Sequence, residues 1–127
     1  MRDKMKLGIV GSRQRNSTDD YFILLNKIKI LRPEMIISGG CHKGADNFAE
    51  RIAKYYGISI LICYPNLMSG VDYNKWEITE AMYARNRKIA DECDHLIALV
   101  SSDRKGGTEY TVAYFRGHYK NKELEIL

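Results

Sequence analysis

An α/β fold, a three-layer sandwich around a mostly parallel sheet of about five strands, is the class this sequence predicts, and three observations predict it. Short apolar runs of β type alternate with longer runs of helical periodicity, and strands separated by helices of that length imply right-handed crossovers and parallel pairing. Three of the strand-like runs end directly in glycine-bearing turns: Gly11-Ser12-Arg13 after Leu7 to Val10, Gly39-Gly40-Cys41-His42-Lys43-Gly44 after Met35 to Ser38, and Lys105-Gly106-Gly107-Thr108 after Leu96 to Val100. The 127 residues carry no repeat, linker or low-complexity tract, so residues 1–127 are read as one domain.

Each element follows from local pattern. Leu7 to Val10 is the first strand. Thr18 or Asp19 caps a helix from Asp20 to Leu31 with Phe22, Leu25, Ile28 and Leu31 on one face, and Pro33 ends the segment. Met35 to Ser38 is a short strand, and Ala45 to Tyr56 a helix with Phe48, Ile52 and Tyr55 at helical spacing and Gly57 as its stop. Ser59 to Cys63 is the third strand, followed by Pro65 and a polar loop through Tyr73. The pattern from Asn74 to Glu92 is helical, either continuous or broken near Met82. His95 to Val100 is the fourth strand, Thr108 to His118 a helix and Leu124 to Leu127 the fifth strand.

Composition narrows the setting. Lys4 and Lys6 interrupt the only apolar start and no small-residue cleavage site follows, so no signal peptide is read. No apolar stretch is long enough for a bilayer, and the expectation is a cytoplasmic protein without a membrane partner. Cys41, Cys63 and Cys93 lie far apart without paired metal spacing, which argues against a zinc site and for reduced thiols; no cofactor is expected. A net charge of +4 permits nucleic acid as a partner without arguing strongly for it.

The position of the cations says more. In an open parallel sheet the loops leaving the carboxyl ends of the strands gather at one edge, where ligands bind. Arg13, Arg15, His42, Lys43, Arg104 and Lys105 ride on those loops beside glycines that let backbone N–H groups approach an anion. The combination suits phosphate.

The same residues carry a resemblance. Gly8-Ile9-Val10-Gly11-Ser12-Arg13 resembles the opening strand and turn of the SLOG superfamily, which unites the DNA-processing protein DprA (Smf) with the LOG phosphoribohydrolases. Ile37-Ser38-Gly39-Gly40 with Gly44-Ala45-Asp46 is similar to its S-G-G-x-x-x-G-x-D signature, Arg85-Asn86-Arg87-Lys88-Ile89-Ala90 to its R-N-R-x-I-A helix, and Gly106-Gly107-Thr108 to its last glycine turn. The motifs are spread in order over nearly the whole chain, and small stand-alone bacterial and phage members are nearest in size. The resemblance implies a Rossmann-like sheet whose cleft holds a nucleotide or nucleotide-derived ligand, and association into homo-oligomers through helices beside the sheet, here those containing Tyr83 and Tyr114.

Residue by residue, the reading places Gly11, Ser12, Arg13, Gly39, Gly40, Lys43, Asp46, Arg85, Arg87, Gly106, Gly107 and Thr108 at the ligand. Arg13 grips phosphate bidentately. Ser12 either donates to that phosphate or closes the turn. Asp46 either complements the helix terminus or accepts from ribose hydroxyls. Arg85 and Arg87 fall on different faces of a regular helix and share a pocket only if a helix begins near Met82; Arg87 with Lys88 follows the LOG pattern, Arg85 with Asn86 that of DprA. Tyr64, Tyr73 and Trp76 either stack on a base or pack.

One departure separates the functional readings. LOG enzymes carry G-G-x-G-T-x-x-E, whose glutamate works on the ribose, whereas here Thr111 stands at that position and Glu109 follows Thr108 directly. The expectation is therefore a sensor or sequestering protein for a phosphate-bearing nucleotide derivative, of ADP-ribose, NAD or cyclic-nucleotide type. An N-glycosidase on nucleoside 5'-monophosphates, with Glu109 and Arg87 catalytic, is the alternative. Single-stranded DNA binding in the manner of DprA comes third, because the cations form a cluster rather than a track.

Overall fold

The computed structural model describes residues 4–127. Five strands and four helices follow one another as β1 (Lys6–Gly11), α1 (Thr18–Leu31), β2 (Met35–Ser38), α2 (Ala45–Tyr56), β3 (Ser59–Ile62), α3 (Lys75–Glu92), β4 (His95–Leu99), α4 (Gly107–His118) and β5 (Glu123–Ile126). The strands form one sheet in the order β3-β2-β1-β4-β5, and every pairing is parallel. β1 and β4, at the centre, are buried along most of their length, as their unbroken apolar runs require, whereas the edge strand β3 alternates exposed and half-buried residues.

Helices cover both faces, which makes the three layers. On one face Leu7, Ile9, Ile36, Ile97 and Leu99 pack against Leu24, Leu25 and Ile28 of α1 and Phe48, Ala49 and Ile52 of α2. On the other, Val10, Ile37, Leu96 and Ala98 meet Ile89 and Ala90 of α3, Cys93 directly after it, and Val112 and Phe115 of α4. Each fully buried Leu or Ile contributes about 1.5–3 kcal/mol through lost water contact.

Several sequence expectations change in detail. Ser17, not Thr18 or Asp19, caps α1: its hydroxyl accepts from Asp20 N–H at 3.0 Å, and the Asp20 carboxylate accepts from Ser17 N–H at 3.2 Å. Phe22 is exposed, because the buried stripe runs through Leu24, Leu25 and Ile28. Tyr55 is also exposed; Ala49 and Ala53 let α2 lie close to the sheet along a stripe that excludes it. α3 is continuous through Met82, started by a capping box of Asn74 and Glu77. β5 begins at Glu123, while Leu127 N–H still bonds Ala98 O at 2.9 Å. Among the described residues, no helix is long and apolar enough to cross a membrane.

Candidate functional site

β1 is the switch point of this topology: the chain builds outward to β2 and β3, then crosses back through α3 to β4 and β5. The loops after β1 and β4 therefore diverge, and the crevice between them is where such sheets take ligands. A cleft of ≈ 470 Å³ lies there, bordered by Gly11 to Gln14, by Cys41, Lys43 and Asp46, by α3, and by Lys105 to Thr108.

The loop after β1 is fixed by its backbone. Ser12 N–H bonds Leu99 O at 2.9 Å, and the Ser12 hydroxyl accepts from Gln14 N–H at 3.1 Å, so it closes the turn. A Cβ on Gly11 would lie 2.6 Å from Cβ of Ala45; glycine lets α2 seat directly on the end of β1. Arg13 is exposed at the cleft with no hydrogen bond or ion pair among the described residues. Arg15 is different: its guanidinium donates to Asp20 at 2.7 Å and to the carbonyls of Val100 and Leu127 at 2.8 and 2.7 Å. It fastens three elements together and leaves the phosphate reading to Arg13. Burial pushes the Asp20 carboxyl up, but hydrogen bonds from Arg15 and Ser17 and the Arg15 charge outweigh this and hold it below the usual carboxylate range.

The loop after β2 is braced from within. Asp46 accepts from the buried Ser38 hydroxyl at 3.0 Å and from Cys41 N–H at 3.1 Å, so its carboxylate spans strand, turn and helix rather than capping α2. Gly44 N–H bonds Asn16 at 2.8 Å, and a Cβ on Gly44 would lie 3.0 Å from Ser12 O; the first loop thus lies against the N-cap of α2. Arg85 donates to Gly39 O and to the Asn86 side chain, the latter at 2.8 Å. A Cβ on Gly39 would strike both the Arg85 guanidinium and the Asp46 carboxylate. Gly39 and Gly40 shape the cleft from behind and do not line it, Gly40 being turned against Tyr64; Lys43 does line it.

The start of α4 is open. Gly106 is its N-cap at φ 97°, a conformation glycine adopts without strain, and no side chain caps the helix. Thr108 lines the cleft, is 8% exposed, and its hydroxyl makes no hydrogen bond among the described residues. Thr111, which the resemblance sets against the LOG glutamate, is fully buried and donates to Gly107 O at 2.8 Å. Glu109 does not border the cleft: Arg104 donates to both its oxygens, at 2.6 and 3.0 Å. That fork also raises the Arg104 pKa. Arg104, like Arg15, is thereby engaged within the protein.

The fourth wall is α3. Thr79, Met82, Tyr83 and Asn86, at i, i+3, i+4 and i+7, face the cleft with Ile78 and Arg85. Because α3 is regular, Arg87 points elsewhere, donating to Tyr110 OH at 2.6 Å and to Glu80 at 3.2 Å, interactions that raise its pKa in that order. Tyr83 stacks on Tyr110 with centroids 4.1 Å apart and planes 6° from parallel. Tyr114 donates to Asp91 and stacks on His118, so both tyrosines expected at an association surface have partners within the chain.

The structure thus brings together Gly11, Ser12, Arg13, Lys43, Asp46, Arg85, Gly106, Gly107 and Thr108, and leaves Gly39, Gly40, Arg87 and Glu109 outside the lining. Asn86, Ile78, Thr79, Met82 and Tyr83 on the α3 wall were missed as lining, because their mixed chemistry forms no hydrophobic stripe. Among the described residues, no three His, Cys, Asp or Glu side chains converge as a metal site.

No family model matches the chain, and no curated protein matches it in sequence. Among solved structures, the chain is similar to the Moco carrier protein of Chlamydomonas reinhardtii, with a TM-score of 0.65 over 98% of this chain and 76% of that one, at 19% identity. At that identity the likeness shows the fold: a Rossmann-like α/β sandwich.

Proposed function

We propose that the cleft binds a phosphate-bearing nucleotide or nucleotide derivative, and that the protein acts by holding this ligand, as a sensor or sequestering protein. The observation that carries the reading is the start of α4, which has no side-chain cap and, among the described residues, free N–H groups; the hydroxyl of the otherwise buried Thr108 on the cleft wall is accessible and likewise without a partner there. A helix start with free donors favours an anion. Arg13, Lys43 and Lys105 border the same space, and Asp46, the one carboxylate among the described lining residues, already accepts hydrogen bonds from Ser38 and Cys41.

Binding is favoured over cleavage because both oxygens of Glu109 are held by Arg104 and the family glutamate position is a buried threonine. A holding role also agrees with the name of the structural neighbour, a carrier, although the likeness extends to the fold alone. The test is calorimetry with adenosine against AMP, ADP, NAD, ADP-ribose and cyclic AMP. At least one phosphate ester should bind while adenosine does not; equal affinity for adenosine and its phosphates would defeat the reading. Chromatography of the AMP mixture should show no free base.

A further inference from the structure

We infer that the α3 wall of the cleft receives a flat heteroaromatic ring joined to the phosphate ester, that Tyr83 contacts this ring, and that Arg87 fixes the plane of Tyr83 from outside the cleft through Tyr110. The inference deepens the phosphate-binding reading and rests on it.

The two sides of the cleft differ in chemistry. The strand-end turns offer cations and backbone donors, whereas Ile78, Met82 and Tyr83 offer apolar and aromatic surface that a free phosphate would leave unused. Tyr83 is half-buried, and Tyr110 lies parallel to it at 4.1 Å. Tyr110 is in turn held by the hydrogen bond from Arg87, and Arg87 by Glu80. A tyrosine on a cleft wall ordinarily gives up rotamer freedom when a ligand binds. Here the stack and its hydrogen-bonded backing order the ring beforehand, which removes that cost from binding.

The ring also lies beside the anion locus. Cε1 of Tyr83 is 4.0 Å from the point a Cβ on Gly107 would occupy, so the aromatic wall begins where α4 begins. A ligand with a planar ring and a phosphate ester joined by a sugar or polyol fits both surfaces at once. Nucleobases and flavins share that chemistry. Arg87 is accordingly a positioning residue: it touches no ligand and acts through the orientation of Tyr110 and Tyr83.

The experiment is calorimetry with ribose 5-phosphate, the four common ribonucleoside 5'-monophosphates and flavin mononucleotide, on the parent protein and on Tyr83→Leu, Tyr110→Phe, Arg87→Ala and the Tyr110→Phe/Arg87→Ala double variant. In the parent, at least one ring-bearing ester should bind roughly tenfold or more tighter than ribose 5-phosphate, the range of base stacking on an aromatic side chain. Whether a nucleotide or the flavin leads identifies the ring. Tyr83→Leu should abolish the ring advantage and leave ribose 5-phosphate affinity unchanged. Tyr110→Phe and Arg87→Ala should each reduce the advantage severalfold, and the double variant no further than either alone; a merely structural role would lower stability without moving this ratio. Tyr110→Phe retains both rings and serves if Tyr83→Leu fails to fold. A parent that binds ribose 5-phosphate as tightly as every ring-bearing ester overturns the inference, as does an advantage that survives Tyr83→Leu or, for the role of Arg87, one untouched by Tyr110→Phe and Arg87→Ala. If no phosphate ester binds, neither in this panel nor among ADP, NAD, ADP-ribose and cyclic AMP, the phosphate-binding reading itself fails.

Discussion

Arg13 and Arg15 stand two positions apart in one loop, yet only Arg13 is free to meet a ligand. Arg13→Ala should weaken binding of the tightest phosphate ester by about 1.5–3 kcal/mol, the worth of charged hydrogen bonds, with an unchanged urea midpoint. Arg15→Ala should do the reverse: it removes the charged hydrogen bonds to Asp20, Val100 O and Leu127 O, and unfolding should show a loss of about 2 kcal/mol or more. The sequence offered no means of telling the two apart, because the partners of Arg15 include Val100, 85 residues away, and Leu127, 112 away. Cysteines divide in a similar manner. Burial pushes the Cys93 thiol up to about 12 and raises Cys63, while Cys41 is half-exposed in the cleft. Brief iodoacetamide treatment of the native protein should therefore label Cys41 alone, and a saturating phosphate ligand should slow that labelling; mass spectrometry of peptides reads both.

Among the elements, helix starts carry much of the specific information. Ser17→Ala removes the α1 cap and should cost about 1 kcal/mol, measured by urea unfolding. The carboxylate on the other side of that capping box makes stability depend on pH. Asp20 is held below its ordinary value, so its contribution is present above that value and is lost as pH falls through the depressed one. Glu125 behaves alike, lowered by its hydrogen bond from Lys27, against the opposing effect of burial, with help from the charges of Lys27 and His95. The urea midpoint should fall on acidification below about pH 4, and Asp20→Asn should flatten that limb; an unaltered limb would show that other groups govern it. The elements themselves were legible because apolar runs and punctuating glycines and prolines mark them. Their faces were less so: α1 is apolar at five successive positions, Tyr21 to Leu25, so periodicity alone did not expose Phe22 as the outward residue. The same holds for the α3 wall, whose lining mixes threonine, methionine, tyrosine and asparagine and lacks the hydrophobic signature that identifies a buried stripe.

At the scale of the molecule, parallel order and crossover hand follow from alternation of strand and helix, and they gather the glycine turns at one edge of the sheet. A single-site ligand at a hundredfold excess over its dissociation constant should raise stability by about 2.7 kcal/mol, which a thermal-shift assay detects; unphosphorylated nucleosides should give no shift. Which turns hold ligand and which hold one another was not legible, since it depends on where loops distant in sequence meet. The N-cap glycine of α2 is tied to the first loop through Asn16, while that of α4 has no such tie among the described residues, although neither helix has a side-chain cap.

The bond from Arg15 to Val100 has a kinetic side. Its 85-residue span joins the first loop to the residue after β4, and the central β1–β4 pairing closes a loop of similar length. Contacts so far apart form slowly, because the entropy of closure precedes any reward from packing. During refolding, α1 and α2 can condense on β1 and β2 well before β4 arrives, and such a half-assembled chain has the first turn but no opposing wall. Ligand capture should consequently be among the last properties to return, appearing in step with β4 docking rather than with the rise of helical signal.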